Sequence, residues 1–150
     1  MRRNESRVLM NKSHRPYLGV VLRFGDYTYF APLESKKTNK NVNSQVTMKV
    51  WGDFTKNKGL LGYLLLNDMI PVTDADWTPL DFHKFEKTDP RRYLLLSKEW
   101  LWVKSNTDRI LKKSAKVYDL RCNHYVPFVN QICLNYKQME KMCREFHELT

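Results

Sequence analysis

The sequence has few glycines, few cysteines and few acidic residues. With 5 glycines among 150 residues it contains no glycine-rich phosphate loop, so we expect no nucleotide cofactor. The 3 cysteines are odd in number and lack the C-x-x-C spacing of zinc and redox sites, which indicates reduced thiols rather than a disulfide framework. No apolar run approaches the roughly 18 residues of a membrane span. The N-terminus lacks an apolar signal region, so we expect a cytoplasmic protein with no membrane contact.

Metal-ligand patterns are missing as well. The 4 histidines have no ligand spacing, so we expect structural or surface roles, although an acid–base pair assembled by the fold stays open. Trp77 and Pro79 lie in an acidic segment that predicts a solvated loop rather than a magnesium site. The carboxylates of that segment are Asp74, Asp76 and Asp81.

Positive charge is abundant and unevenly placed. The net charge is +10 and the isoelectric point about 9.6. The first 60 residues hold 12 Lys and Arg against 4 Asp and Glu, a net +8, and the remaining 90 hold 14 against 12, a net +2. A local excess of this size indicates a polyanionic partner, with nucleic acid ahead of an anionic membrane.

The first half of the chain is rich in β-forming residues. Tyr17–Phe24 and Tyr27–Leu33 predict two strands joined by a two-residue turn at Gly25-Asp26. A polar loop is predicted from Glu34 to Ser44. Alternating or continuous apolar residues predict further strands at Gln45–Trp51, Leu60–Leu66 and Met69–Val72.

The second half changes to helical spacing. Asp89-Pro90 predicts a helix start, with aspartate as N-cap and proline in the first turn. Asn106 or Thr107 can begin the next helix. Asn135 with Gln138 resembles a capping box that opens a last helix, whose predicted buried side chains are Met139, Met142, Cys143 and Phe146.

These patterns predict one α+β domain over residues 1–150. Residues 1–14 are polar and are predicted to be an irregular arm, 15–72 to be mainly β, and 89–149 to be mainly helical.

The segment Tyr29–Lys37 carries the most suggestive chemistry. An apolar strand stops near a proline and is followed by a carboxylate, a hydroxyl and ammonium groups at Glu34, Ser35 and Lys37. A solvated strand exit is one interpretation. RNA offers another, because its 2′-OH can attack the adjacent phosphodiester, and the protein then needs only to align the bond, accept a proton and stabilise phosphate charge.

A basic residue is predicted to join this segment. The hairpin places the start of the Tyr17 strand near Ser35, and Arg15 lies just before that strand with a planar fork suited to phosphate. Tyr17 and Tyr29 are candidates for stacking a base. The remaining candidate RNA contacts are basic or polar residues of the loop, the sheet and two helices: Lys36, Thr38, Lys40, Lys49, Arg91, Arg92, Lys112 and Lys113. Lys112, Lys113 and Lys116 also fit an ordinary solvated helix face.

At these residues the chain resembles the ToxN/AbiQ family of type III toxin–antitoxin toxins. The resemblance runs through Arg15–Leu22 and Tyr29–Lys37, continues in Gly62–Val72 and Ser105–Ile110, and ends in the helix Cys133–Phe146. It covers most of the chain in the same order.

The resemblance implies a twisted antiparallel sheet, a small toxin-ribonuclease-like barrel, flanked by helices. It implies metal-independent cleavage of single-stranded, A-rich RNA to 2′,3′-cyclic phosphate and 5′-OH ends, with no cofactor. The implied partners are cellular or phage RNA as substrate and an inhibitory RNA antitoxin of short pseudoknotted repeats, assembled with the toxin into closed rings. Abortive phage defence follows from the same analogy. Ser35 and Lys37 match the family's active-site serine and lysine, and Arg15 matches a basic residue before the first core strand.

The chain departs from the family pattern in two places. Members usually carry a hydroxyl residue before the serine, where this chain has Glu34. Members also usually carry a tyrosine-bearing strand and helix before the Arg-Pro-Tyr motif, so we expect site residues from that segment to have no counterpart.

Two other classes stay open on sequence alone. One is a non-catalytic RNA-binding module with a basic sheet surface. The other is a basic protein that binds duplex DNA or a membrane surface. Turnover of single-stranded RNA distinguishes the enzyme from both.

Overall fold

Along the described part of the chain, seven strands come first and five α-helices follow them. The computed structural model describes residues 7–11, 18–24, 26–35, 43–53 and 55–148. Its strands are β1 (Arg7–Asn11), β2 (Leu18–Phe24), β3 (Tyr27–Ser35), β4 (Thr47–Asp53), β5 (Lys58–Leu65), β6 (Ile70–Val72) and β7 (Trp77–Pro79). Its helices are α1 (Phe85–Thr88), α2 (Pro90–Ser105), α3 (Thr107–Asn123), α4 (Pro127–Ile132) and α5 (Tyr136–Glu148).

All the described strands pair antiparallel in one sheet. The order is β4-β5-β3-β2-β1-β7, with β6 pairing β3 beside that path. The predicted α+β class is therefore confirmed. The sheet formed by the described strands is open, with β4 and β7 at its two ends, so it is not closed into a barrel.

The predicted hairpin is confirmed, and its register brings the start of β2 to the end of β3. Phe24 pairs with Tyr27 across the turn, and Gly19 pairs with Pro32. A Cβ at Gly19 would lie 2.5 Å from Phe30 Cζ and would also clash with the Ala31 carbonyl oxygen. Only glycine fits this position without movement of the neighbouring strand.

Strand β3 is longer than predicted and joins two parts of the sheet. It pairs with β6 at Thr28–Phe30 and with β5 at Leu33–Ser35. Glu34 and Ser35 therefore belong to the strand and not to a loop, because β5 supplies backbone partners at Tyr63 and Gly62.

Two further expectations are wrong. Residues 7–11 form β1 rather than an irregular arm, since they pair with β2 from Arg7 to Met10. Residues 77–79 form β7 rather than a loop, because they pair with the other edge of β1. β1 is only five residues long with polar ends, and β7 is only three residues long and ends in proline, so neither shows a strand period of its own.

The helices start as the capping residues predict. Asp89 accepts a hydrogen bond from the Arg92 N–H at 3.2 Å, and Pro90 is the first residue of α2. Asn106 precedes α3 but makes no side-chain cap; its Nδ2 donates to the Trp102 carbonyl oxygen at 2.8 Å. Asn135 accepts from the Gln138 N–H at the start of α5.

The core lies between the sheet and the helices. Its largest buried side chains include Trp102 of α2, Ile110 of α3, and Leu22 and Leu64 of the sheet. Burial of each such side chain contributes about 1.5–3 kcal/mol. No described helix is long and apolar enough to cross a membrane.

A buried carboxylate ties α5 to the sheet. Glu140 is 2% exposed. Its Oε2 accepts hydrogen bonds from Tyr29 of β3 at 2.5 Å and from Tyr118 of α3 at 2.7 Å. Burial, followed by the bond to Glu140, raises the pKa of both tyrosines, so both stay protonated donors. This network fixes three elements to one another.

The inward face of α5 differs from its predicted face. Tyr136, Glu140 and Cys143 point inward, and Tyr136 donates to the Leu66 carbonyl oxygen at 2.8 Å. Met142 is 54% exposed, so its predicted burial is wrong. The apolar pattern predicted the wrong buried face because the helix buries a glutamate in place of a methionine. The side chain of Phe146 lies outside the described part.

Removing one hydroxyl from the network tests its contribution. Tyr29→Phe leaves Glu140 with one donor in a buried site, so we expect a loss of about 1–3 kcal/mol in the free energy of unfolding. Urea titration measures this. Tyr125 is 80% exposed, and Tyr125→Phe is the matched control that should change nothing. Equal stability of the two variants would contradict the assigned role.

Glu99 makes stability depend on pH. Burial raises the pKa of its carboxyl to about 7 from 4.5, and no described group bonds its buried Oε2. The folded state then holds the proton more tightly than the unfolded state. Stability is full below pH 4.5 and falls by up to about 3 kcal/mol as the pH rises to 7.

Glu99→Gln should therefore be more stable than the parent protein at pH 8 and about equal at pH 4.5. Urea unfolding at the two values measures the difference, with exposed Glu86→Gln as the matched control. A constant difference between parent and Glu99→Gln at both pH values would refute the assignment.

Candidate functional site

A groove runs between the β4–β5 hairpin and α3. It has a volume of about 970 Å³. Its walls combine cations, amides and aromatic rings from strands and helix: Gln45, Lys49, Trp51, Asn57, Tyr63, Arg109, Lys112, Lys113 and Lys116. No carboxylate lines the groove among the described residues, so its field is positive throughout.

One face of α3 supplies most of that charge. Lys112 and Lys113 are adjacent, and each lies three or four residues from both Arg109 and Lys116, which places the four cations on one side of the helix. Like charges this close repel one another, and an anion in the groove relieves the repulsion.

Lys113 differs from its neighbours because it also holds the fold together. Its ammonium donates to the carbonyl oxygens of Ser44 at 2.6 Å and Thr47 at 2.7 Å. Burial, and then the charges of Arg109 and Lys116, lower its pKa. Lys113 thus anchors α3 to the start of β4, while exposed Lys112 and Lys116 face the groove.

Aromatic rings form the floor of the groove on the sheet side. Trp51 lies two residues after Lys49 on β4, and the Lys49 ammonium is 5.9 Å from the centre of the indole ring. Tyr63 of β5 pairs with Lys49 across the strands. Flat rings beside cations are the arrangement on which single-stranded nucleic acids stack their bases.

A row of paired residues leads from the groove to the end of β3. Lys49 pairs with Tyr63, and Tyr63 pairs with Glu34 on its other side. Directly opposed residues in antiparallel strands project on the same face, with Cβ atoms about 5 Å apart. Ser35 is the next residue of β3 and pairs with Gly62. The end of β3 therefore borders the groove.

The structure describes only part of the predicted catalytic set. Glu34 is half-buried in β3, and the backbone of Ser35 ends that strand. The other predicted residues of this region lie outside the described residues: Arg15, Tyr17, Lys36, Lys37, Thr38 and Lys40.

The stacking role predicted for Tyr29 is wrong. The ring is completely buried, and its hydroxyl is bonded to Glu140. The sequence placed it in an aromatic run without showing which side of the strand faces the core.

Arg91 and Arg92 lie away from the groove lining. Arg91 is exposed at the start of α2, and the Arg92 guanidinium stacks on Phe85 at 4.6 Å from the ring centre. Lys49, Lys112 and Lys113 are the predicted RNA contacts that the structure brings together.

Some groove residues were absent from the predicted set of RNA contacts. They are Trp51, Tyr63, Arg109 and Lys116. Two signals could have found them. Trp51 shares the strand period of Lys49, and Arg109 and Lys116 share the helical period of Lys112. Tyr63 carried no such signal, because only strand pairing brings it beside Lys49.

The described residues contain no group of three or more His, Cys, Asp or Glu side chains that could hold a metal ion. The groove instead combines cationic and aromatic residues. An α+β fold with a basic, aromatic groove beside its sheet defines a small protein suited to binding a polyanion.

Comparison with known proteins gives the family. The sequence model of the toxin ToxN of type III toxin–antitoxin systems matches residues 1–144. The chain belongs to the ToxN toxin family. Endoribonuclease ToxN of Bacillus thuringiensis subsp. kurstaki is 34% identical over 156 residues, covering 99% of this chain and 78% of the relative. Endoribonuclease AbiQ of Lactococcus lactis subsp. lactis is 33% identical over 109 residues, covering 68% of this chain and 57% of the relative.

Solved structures agree on the fold. A type III toxin–antitoxin structure, described as toxin inhibition by a non-coding RNA pseudoknot, matches with a TM-score of 0.73 and 34% identity, covering 91% of this chain and 83% of that one. The structure of AbiQ, a lactococcal anti-phage endoribonuclease, matches with a TM-score of 0.78 at 21% identity, covering 95% of this chain and 98% of that one. These TM-scores show that the chain shares their fold.

Proposed function

We propose that the protein is the endoribonuclease toxin of a type III toxin–antitoxin system and cleaves single-stranded, A-rich RNA without a metal ion. The observation that carries this is the row Lys49–Tyr63–Glu34, which extends from the basic groove to the end of β3, one residue before Ser35. The relatives named as endoribonucleases support the activity.

The substrate supplies the nucleophile in this mechanism. The ribose 2′-OH loses its proton and its oxygen bonds to the neighbouring phosphorus, while the bond from phosphorus to the 5′-oxygen of the next nucleotide breaks. The departing 5′-oxygen takes a proton from solvent, so the products carry a 2′,3′-cyclic phosphate and a 5′-OH. Lys37 and Arg15 stabilise the charge on the non-bridging oxygens, and Ser35 positions the phosphate. Such stabilisation needs no metal when cations are already in place.

Glu34 is the proton acceptor in this proposal. It precedes Ser35 and lies opposite Tyr63, so it stands between the groove and the strand end. A carboxylate there can take the proton of the attacking hydroxyl. The groove cations offset its repulsion of the phosphate.

The groove also fits an RNA inhibitor. A related toxin is inhibited by a non-coding RNA pseudoknot. We propose that the antitoxin of this protein is likewise an RNA of short pseudoknotted repeats, which occupies the groove and closes toxin and RNA into a ring. Its phosphates would meet Lys112 and Lys116, and its unpaired bases would stack on Trp51 and Tyr63.

Ser35→Ala should abolish cleavage while leaving RNA binding nearly unchanged. The reason is that the hydroxyl contacts the reacting phosphate, whereas most binding energy comes from the groove. Single-stranded RNA is incubated with each protein in EDTA, and fragment ends are assayed for 2′,3′-cyclic phosphate. We expect cyclic ends from the parent protein and none from the variant.

Ser105→Ala at the exposed end of α2 is the matched control and should cleave normally. Full cleavage by Ser35→Ala would refute the assignment of Ser35 to the catalytic site. Cutting that EDTA abolishes would overturn the metal-free mechanism. Binding without cleavage by the parent protein would instead identify a non-catalytic RNA-binding module.

Removing two groove charges should weaken RNA binding and its salt dependence. Lys112→Gln with Lys116→Gln removes up to two phosphate contacts, and each lost contact lowers the slope of log K against log salt by about 0.7. Fluorescence anisotropy with single-stranded RNA at several salt concentrations measures the slope. Lys87→Gln with Lys98→Gln changes the net charge equally at exposed positions away from the groove lining. Equal slopes for the two double variants would show that the groove does not hold RNA.

A further inference from the structure

A second cavity lies at the opposite end of β3 from Ser35. It has a volume of about 540 Å³ and is enclosed by the turn before β3, by β6 and by α5. Its lining includes Tyr27, Pro71, Val72, Glu140, Cys143 and Arg144, none of which lines the groove. Ser35 lies eight positions after Tyr27 along β3, about 26 Å at the usual rise of a strand. The cavity is therefore a separate site.

The acidic group of this cavity has an unused oxygen. Glu140 lines the cavity although its side chain is only 2% exposed. Both tyrosine hydroxyls donate to Oε2, and no described residue donates to Oε1. A carboxylate oxygen accepts up to two hydrogen bonds. Because Glu140 lines the cavity, a ligand bound there can donate a hydrogen bond to Oε1.

The charges around the cavity favour a cation. Asp26 adds a second, exposed carboxylate to the lining. Asp76 lies close enough to Cys143 to raise the pKa of that thiol, after the larger effect of burial. The one cation of the described lining, Arg144, donates to the Tyr27 hydroxyl at 2.9 Å. This region is acidic in a protein of net charge +10, so it repels phosphate.

The walls of the cavity are largely apolar. Pro71 and Val72 of β6 and the ring of Tyr27 present hydrocarbon surface, with Cys143 opposite on α5. An apolar cavity with one convergent carboxylate is typical of a site for a small organic molecule with a charged end.

We propose that this cavity binds a small free primary amine on a short hydrocarbon chain. The ammonium donates to Glu140 Oε1, and the hydrocarbon chain contacts Pro71 and Val72. The three donors of the ammonium suit a cavity whose acidic group is a carboxylate that only accepts hydrogen bonds.

Cys143 reports occupancy in the unmodified protein. Iodoacetamide alkylation at pH 7 is followed residue by residue by mass spectrometry, with n-butylamine, sodium butyrate or n-butanol present. We expect n-butylamine to slow alkylation of Cys143 several-fold and to leave Cys133, outside the cavity lining, unaffected. Equal protection by butyrate or butanol would show a merely apolar cavity and overturn the proposal, as would no protection by n-butylamine.

The role of Glu140 is tested by substitution. Glu140→Gln keeps the shape and removes the charge, so we expect n-butylamine to bind at least about tenfold more weakly. Glu145→Gln, an exposed position on the same helix paired with Lys141, is the matched control. Calorimetry measures both, after circular dichroism shows that each variant is folded. If Glu140→Gln is folded and binds n-butylamine with unchanged affinity, the proposal is overturned. If this variant does not fold, the protection of Cys143 in the unmodified protein is the test of the proposal.

Lysine side chains also end in a primary amine on a short hydrocarbon chain. Putrescine represents a free polyamine, and lysine blocked at both backbone ends represents a lysine presented by a protein. We expect protection of Cys143 by putrescine at lower concentration than by the blocked lysine. Protection by the blocked lysine at a lower concentration than putrescine would identify a protein partner as the ligand and refute the proposal of a free amine.

Discussion

The bonds from Tyr29 and Tyr118 to the buried carboxylate of Glu140 hold the fold together. A buried carboxylate is costly unless donors compensate it, and here the donors come from β3 and α3. The C-terminal helix can dock only when both elements are already in position. Glu140 thereby couples completion of the helical layer to correct formation of the central strand.

Strand β3 carries this constraint to the proposed catalytic site. Its start faces the acidic cavity and its middle supplies Tyr29. Its end pairs with β5 beside the basic groove. The two proposed sites therefore have opposite charge and share one rigid element. Phosphate is favoured at one end of the strand and disfavoured at the other.

The fold class, the first hairpin and the caps of α2 and α5 were predictable because each depends on local chemistry. The cap expected from Asn106 is absent, because its amide donates instead to the Trp102 carbonyl oxygen. The β-forming residues on either side of Gly25-Asp26 pair as β2 and β3, and Asp89-Pro90 begins α2. Strand β1 and the burial of Glu140 were not predictable, since both depend on partners far along the chain. For the site, the cations of α3 were visible as a helical face, whereas Tyr63 joins Lys49 only through strand register. The roles of Ser35 and Lys37 rest on family resemblance and stay predictions.

The position of β4 at one end of the sheet has a consequence for how copies of the protein meet. An end strand exposes unpaired backbone groups that can recruit another strand. Lys49 is the exposed residue in the middle of β4, and Lys112 and Lys116 lie across the groove from it. Two such edges brought together would place like charges in contact. The cations proposed to attract RNA therefore also oppose edge-to-edge pairing of two copies through β4.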